Sequence, residues 1–162
     1  MQNRIVIGGP IRRDLIPEIQ DLLENNPWLD CFQVGSDEFP GSNLAAALEA
    51  ADKGGHRLVF KFDASTDLMD DLCSFLQTNK IQHESECYDE GEEIGCFSSY
   101  RPDMTDFMRD IDGNSGQLIV DGNFVNEAID LLLKNNPQKA LETLKYCSHK
   151  HSHPELPPVV LK

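Results

Sequence analysis

Basic side chains are scarce in this chain: 14 Lys and Arg stand against 28 Asp and Glu, a net charge of −14. A surface of that sign repels phosphate backbones and anionic membranes, which excludes direct nucleic-acid binding through a basic groove and favours long-range attraction to a basic partner. Long apolar runs are missing as well. No stretch reaches the ~18 apolar residues that a membrane-spanning helix requires, and the opening run of Ile5, Val6 and Ile7 is too short for the apolar part of a signal peptide. The five cysteines (Cys31, Cys73, Cys87, Cys96 and Cys147) are odd in number and scattered, with no C-x-x-C pair and no His at zinc-finger spacing. A disulfide framework and a structural zinc are disfavoured on those grounds, and the reducing cytoplasm is the expected compartment.

What is present is an ordinary globular composition. Apolar residues make up 40% of the 162 positions, with eight Phe, one Trp and three Tyr. A chain of this length buries roughly 68–70% of its unfolded surface, enough for one core without staples. The sequence predicts a single α/β domain over residues 1–147, a mixed sheet of about five or six strands with helices packed on it, two closing helices, and a loose or surface-bound tail over 148–162.

Periodicity places the elements. Ile5, Val6 and Ile7 read as a buried strand that Gly9-Pro10 ends, and Leu15, Ile19, Leu22 and Leu23 follow a helical period that stops at Asn25-Asn26-Pro27. Cys31 to Val34 reads as a short strand, and an alanine-rich helix runs from Ser42 to Lys53, closed by Gly54-Gly55. Leu58, Phe60 and Phe62 alternate in a strand, and Ser65 or Thr66 caps a helix carrying Leu68, Leu72, Phe75 and Leu76. Ile81 to Tyr88 and Glu93 to Tyr100 form a hairpin around Glu90-Gly91. Met104, Phe107, Met108 and Ile111 have the spacing of a short helix, Gln117 to Asp121 reads as a last strand, and helices follow at Phe124 to Leu133 and Gln138 to Tyr146.

Charge is concentrated on that hairpin. Between Glu84 and Asp112 stand ten acidic residues (Glu84, Glu86, Asp89, Glu90, Glu92, Glu93, Asp103, Asp106, Asp110 and Asp112) against Arg101 and Arg109. Ten minus two leaves eight negative charges in 29 residues, a surface that can imitate a phosphate ladder or dock on the nucleic-acid groove of a basic protein. The same charges also protect an edge hairpin from aggregation. Weaker constellations accompany it. Asp110, Asp112, Asn114 and Asp121 occupy positions one, three, five and twelve of an EF-hand calcium loop, but Gly falls one position late and Gln117 replaces the apolar eighth residue. His149, His151 and His153 alternate in the tail, where an extended chain would turn them to one side for a transition metal. Gly8-Gly9-Pro10 with Arg12 and Arg13 suggests a phosphate cradle without the spacing of one.

The hairpin segment Tyr88-Asp89-Glu90-Gly91-Glu92-Glu93-Ile94-Gly95-Cys96-Phe97, preceded by helix and strand, is similar to the Tyr/Glu/Gly hairpin of ferredoxin-like proteins carried by plasmids and phages. About 40 residues take part. The resemblance implies a mobile-element origin and assigns no catalytic residue.

The expected function is a non-catalytic acidic binder that inhibits or regulates a basic, nucleic-acid-acting protein, as an immunity protein, an anti-defence inhibitor or a nucleic-acid mimic does. Glu84, Glu86, Asp89, Glu90, Glu92, Glu93, Asp103 and Asp106 are its expected contact residues, with no cofactor, resident metal or direct nucleic-acid contact. Two alternatives are a small hydrolase or transferase using a carboxylate or Cys in a sheet-edge cleft, and a calcium- or metal-responsive module.

Overall fold

The computed structural model describes residues 3–24, 28–63, 67–88, 94–148 and 153–162. Strand β1 (Asn3–Ile11) lies at the centre of the sheet, with Ile5 and Ile7 fully buried on one face and Arg4 exposed on the other, as the two-residue pleat dictates. Its antiparallel neighbours are β4 (Leu58–Phe62), through Ile5↔Phe60 and Ile7↔Leu58, and β5 (Gln82–Tyr88), through Ile5↔Ser85 and Ile7↔His83. Outside β4 come β2 (Leu29–Val34) and then β3 (Asp37–Pro40). On the opposite flank β6 (Ile94–Tyr100) pairs with β5 and β7 (Phe107–Asp112) pairs with β6. The order is β3-β2-β4-β1-β5-β6-β7, and β8 (Val159–Leu161) adds the one parallel pairing of the described sheet, to the end of β1.

Helix α1 (Ile16–Glu24) links β1 to β2, α2 (Leu44–Gly54) links β3 to β4, and α3 (Asp67–Thr78) links β4 to β5. The central order β2-β4-β1-β5 with α1 and α3 as crossovers is a split β-α-β unit, into which β3 and α2 are inserted. These three helices cover one face of the sheet. Ile19, Leu23, Leu48, Met69, Leu72 and Leu76 meet Ile5, Ile7, Phe32, Phe60 and Phe62 in a continuous core, where the Phe32 and Phe60 rings pack edge to face at 5.3 Å. Local chemistry sets the ends of α2: Asn43 accepts a hydrogen bond from the Ala46 N–H, and Gly55 at φ 64° takes the left-handed position that stops the helix.

The other face carries a second, smaller cluster of Tyr88, Phe97, Phe107 and Ile111, flanked by Leu118. Beside it stands a hairpin of two helices, α4 (Gly122–Leu133) and α5 (Pro137–Tyr146), which pack mainly on each other. Asp121 and Asn136 cap their N-termini.

Five expectations are corrected. The sheet has eight strands, more than the five or six expected. Residues 107–112 form β7 in place of a short helix, because alternation of Phe107, Arg109 and Ile111 satisfies the pleat and β6 offers an unpaired edge. Gln117 to Asp121 contributes only the isolated bridge Ile111↔Leu118. Gly9-Pro10 does not end β1, and the segment expected as a tail from Ser148 returns to the sheet as β8, with Leu156 and Val159 each 1% exposed. These last two corrections share a cause: a Cβ on Gly8 would overlap the Pro157 carbonyl oxygen, so the glycine is what admits the returning chain. The expected helix stop at Asn25-Asn26-Pro27 and the expected caps Ser65 and Thr66 lie outside the described residues.

Candidate protein-interaction site

Pleat alternation decides where the hairpin carboxylates point. His83 and Ser85 share the α1–α3 side with Ile7 and Ile5, so Glu84 and Glu86 stand on the opposite side. Both are paired there. Glu86 receives two hydrogen bonds from Arg4, at 2.9 Å from Nε and 2.5 Å from Nη2, and this contact raises the Arg4 pKa despite partial burial. Glu84 receives Nη2 of Arg101.

Arg101 is 2% exposed and ties three segments together. It donates to the His83 carbonyl at 3.2 Å, the Tyr100 carbonyl at 3.0 Å, Ser99 Oγ at 3.1 Å and the Pro154 carbonyl at 3.0 Å. The buried charge is thus offset by one carboxylate and a ring of carbonyl dipoles. Next to it Ser99 Oγ lies 2.8 Å from His153 Nδ1, while His153 Nε2 lies 2.7 Å from the Thr105 carbonyl. Since the carbonyl only accepts, Nε2 carries a proton, and in the neutral ring Nδ1 accepts from the Ser99 hydroxyl. Serine and histidine at this distance have the composition of a nucleophile pair. With exposures of 1% and 4% both side chains are almost wholly buried, and they act as a latch that fixes residues 153–157 against the sheet.

Asp103 and Asp106 are exposed on the β6–β7 connection, where Asp103 adopts φ 66°. They border a groove of about 540 Å³ that also contains Thr105, Glu142, Tyr146 and His153. Asp89, Glu90, Glu92 and Glu93 lie outside the described residues, as do His149 and His151, so His153 is the one tail histidine whose position is known.

The calcium-loop residues are placed in a different motif. Asp112 accepts from both the N–H and the hydroxyl of Ser115, each at 2.7 Å, and these bonds hold its carboxyl below the usual range. Asp121 accepts from the Asn123 N–H at 2.8 Å as the cap of α4. Asp110 sits exposed on β7, and Asn114 lies in the exposed turn that follows. The chain enters this loop from a strand, whereas an EF-hand loop is entered from a helix. Among the described residues no three His, Cys, Asp or Glu side chains gather as a metal site. The thiols are equally unpromising as nucleophiles, since burial pushes Cys73 up to about 11 and Cys87 up to about 12 and keeps both protonated.

One acidic surface escaped the sequence reading. Helix α1 carries Glu18, Asp21 and Glu24, and α3 carries Asp67, Asp70 and Asp71, with no Lys or Arg in either helix. All six are exposed, and none forms an ion pair among the described residues. Because α1 packs against α3, the two acidic helices form one layer over the main core. A window sliding along the chain cannot find it, since the two triplets meet only through the fold.

Among the described residues no helix is long and apolar enough to cross a membrane. Comparison of the chain with protein-family models, with curated proteins and with solved structures finds no match.

Proposed function

We propose that the protein is a non-catalytic acidic binder that blocks or regulates a basic, nucleic-acid-acting partner, in the manner of an immunity protein, an anti-defence inhibitor or a nucleic-acid mimic. The observation that carries this reading is the α1–α3 layer: six exposed carboxylates that form no ion pair among the described residues, on helices packed against the main core. Rigid presentation matters because charges fixed in advance lose little side-chain and loop entropy on binding. Of the hairpin carboxylates, Glu84 and Glu86 already satisfy Arg101 and Arg4, so they contribute less field than an unpaired pair would. Asp103 and Asp106 extend the acidic surface on the far flank.

The test is affinity capture of the partner from the native cell, followed by association kinetics. Replacing Glu18, Asp21, Asp70 and Asp71 together by Lys is expected to slow association by roughly 10- to 100-fold, and added salt is expected to slow the wild type in the same direction. A partner captured equally fast by the reversed variant sinks the proposal.

A further inference from the structure

Three matched pairs of residues line the α3 side of the β5–β6 ladder. Directly opposed residues put their side chains on the same face, and the register sets His83 against Tyr100, Ser85 against Ser98 and Cys87 against Cys96. The first two pairs are in contact. The His83 and Tyr100 rings stack at 5.4 Å, and the Ser85 and Ser98 hydroxyl oxygens lie 2.7 Å apart. The third pair is two free thiols.

Strand geometry puts those thiols within reach of a bond. Tyr88 turns its N–H toward Asn3 of β1, so the backbone groups of Cys87, one residue earlier, turn toward β6. Cys87 and Cys96 are therefore a hydrogen-bonded pair, with Cα atoms ~5.5 Å apart, inside the ~4.4–6.8 Å that a disulfide spans. Ser85 and Ser98, two positions along, occupy the same kind of site, and their contact shows that γ atoms meet across it. The β-carbons of such a pair stand wider apart than a relaxed disulfide prefers, and the resulting strain makes the bond easy to reduce. A link there is a switch more than a staple.

Access and acidity divide the roles. Cys96 borders a groove of about 510 Å³ with Met108, Asp110 and Val120, through which a small oxidant reaches its sulfur. Cys87 packs against the main core, and burial pushes its thiol up to about 12. The Cys96 thiol is raised as well, by burial and then by the carboxylates of Asp110, its partner on β7, and Asp70.

We propose that Cys87 and Cys96 are a modification site that a peroxide converts into a reversible intramolecular disulfide. The Cys96 thiolate attacks one oxygen of hydrogen peroxide, the O–O bond breaks, and the departing hydroxide takes up a proton, leaving Cys96 as the sulfenic acid. The Cys87 sulfur then attacks the sulfenic sulfur. An S–S bond forms, the S–O bond breaks, and the Cys87 proton leaves with the hydroxyl as water. Two thiols and one peroxide thus yield one disulfide and two waters. Both thiols are protonated at neutral pH, so the reaction is slow there and quickens as pH rises. The bond fastens β5 to β6 at the base of the acidic connection 89–93. Its formation requires no partner, so the inference stands or falls separately from the proposed function.

The test treats the folded full chain with hydrogen peroxide, blocks the remaining thiols with N-ethylmaleimide and maps the peptides by mass spectrometry. The expected product is a monomer lighter by two hydrogens, linked between Cys87 and Cys96 and restored by dithiothreitol. Cys87→Ser should stop at a Cys96 sulfenic acid that dimedone captures, and Cys96→Ser should leave Cys87 reduced. Should Cys87→Ser not fold, Cys87→Ala gives the same reading. Cys73→Ser should keep the link, although the Ser85 hydroxyl lies within hydrogen-bonding reach of both Cys73 and Cys87. Asp110→Asn, which removes the carboxylate facing Cys96, is expected to speed link formation at neutral pH by ~2- to 5-fold. A rate unmoved by that variant overturns Cys96 as the thiol that reacts first. Thiols that all stay free, a link that uses Cys73, or a link between two copies overturns the proposal.

Discussion

The helices α1 to α3 and the helices α4 and α5 are built from the same kind of amphipathic sequence, yet they end in different environments. Ile19, Leu48, Leu72 and Leu76 are covered by a five-stranded stretch of sheet, and their exposure is 0%. Ile129, Leu132 and Leu141 have equal apolar character and remain about half exposed. The difference lies in what the sheet offers. On the α1–α3 side β1, β2 and β4 present Ile5, Ile7, Phe32, Leu58, Phe60 and Phe62, whereas on the other side the strands present Arg4, Glu84, Glu86 and Lys61, which an apolar helix cannot cover without burying charge. The hairpin is tethered where the sheet does provide aromatic surface, around Phe107 and Arg109. Helical periodicity therefore specifies that a face will be buried, and the composition of the opposing surface decides against what.

That contrast can be broken at both ends. Phe60→Ala, which empties a fully buried ring from the main core, is expected to cost about 3–5 kcal/mol, read from urea unfolding. Arg101→Ala should cost ~3 kcal/mol or somewhat more by the same measurement, because it leaves Glu84 and several buried carbonyls without their donor. A cost below 1 kcal/mol would remove Arg101 as the tie between β5, β6 and the returning segment at Pro154. Arg109→Ala, which takes the cation from between Phe107, Phe124 and Tyr146, should cost about 1 kcal/mol. Its sharper signature is hydrogen exchange: amides of α4 and α5 should exchange faster while those of β1 and β4 keep their protection. Equal acceleration everywhere would show the hairpin to be one cooperative unit with the main core.

A smaller effect is expected from His83, whose pKa burial lowers from 6.5 against the hydrogen bond to the Ile81 carbonyl, with Arg101 lowering it further and Asp106 and Glu84 opposing. The unfolded chain binds this proton more readily than the folded one. The contribution of His83 is accordingly complete above pH 6.5 and is lost as pH falls through the lowered folded value. His83→Gln should flatten the decline of stability below pH 6.5, and an unchanged slope would place the acid sensitivity elsewhere. Smallest of all, Leu132→Ala should change the stability of the monomer by less than ~0.5 kcal/mol, in direct opposition to Phe60→Ala.

Much of the main layer was legible in the sequence. Leu58, Phe60 and Phe62 alternate without ambiguity, α2 stops at the expected Gly54-Gly55 although its cap is Asn43, one residue past the expected start at Ser42, and the two closing helices fall within a residue or two of their expected bounds. β7 was not legible, since Phe107 and Ile111 satisfy helical spacing as well as alternation, and only the open edge of β6 separates the two. Nor was β8, whose three residues are too few to show any period. The acidic site was half legible. Counting charges found the hairpin strip, but counting enters Arg101 as one positive charge and misses that it is buried against Glu84. The α1–α3 carboxylates required knowledge of helix packing, which no local window holds.

The junction of β1 with β8 also constrains how the chain can fold. Gly9 and Val159 are partners although roughly 150 positions separate them, and closing a loop of that length costs about 4 kcal/mol of chain entropy. β5 and β6 are close neighbours in sequence, Tyr88 ending one and Ile94 opening the other, so their ladder can zip long before. β8, in contrast, has no site until β1 has paired and His56 is in position to accept from the Val159 N–H. Its docking also completes the contacts of Arg101 with Pro154 and of His153 with Ser99 and Thr105. The most distant segment is thereby recruited late, its arrival closes the polar interior, and the resulting high contact order favours slow folding over fast.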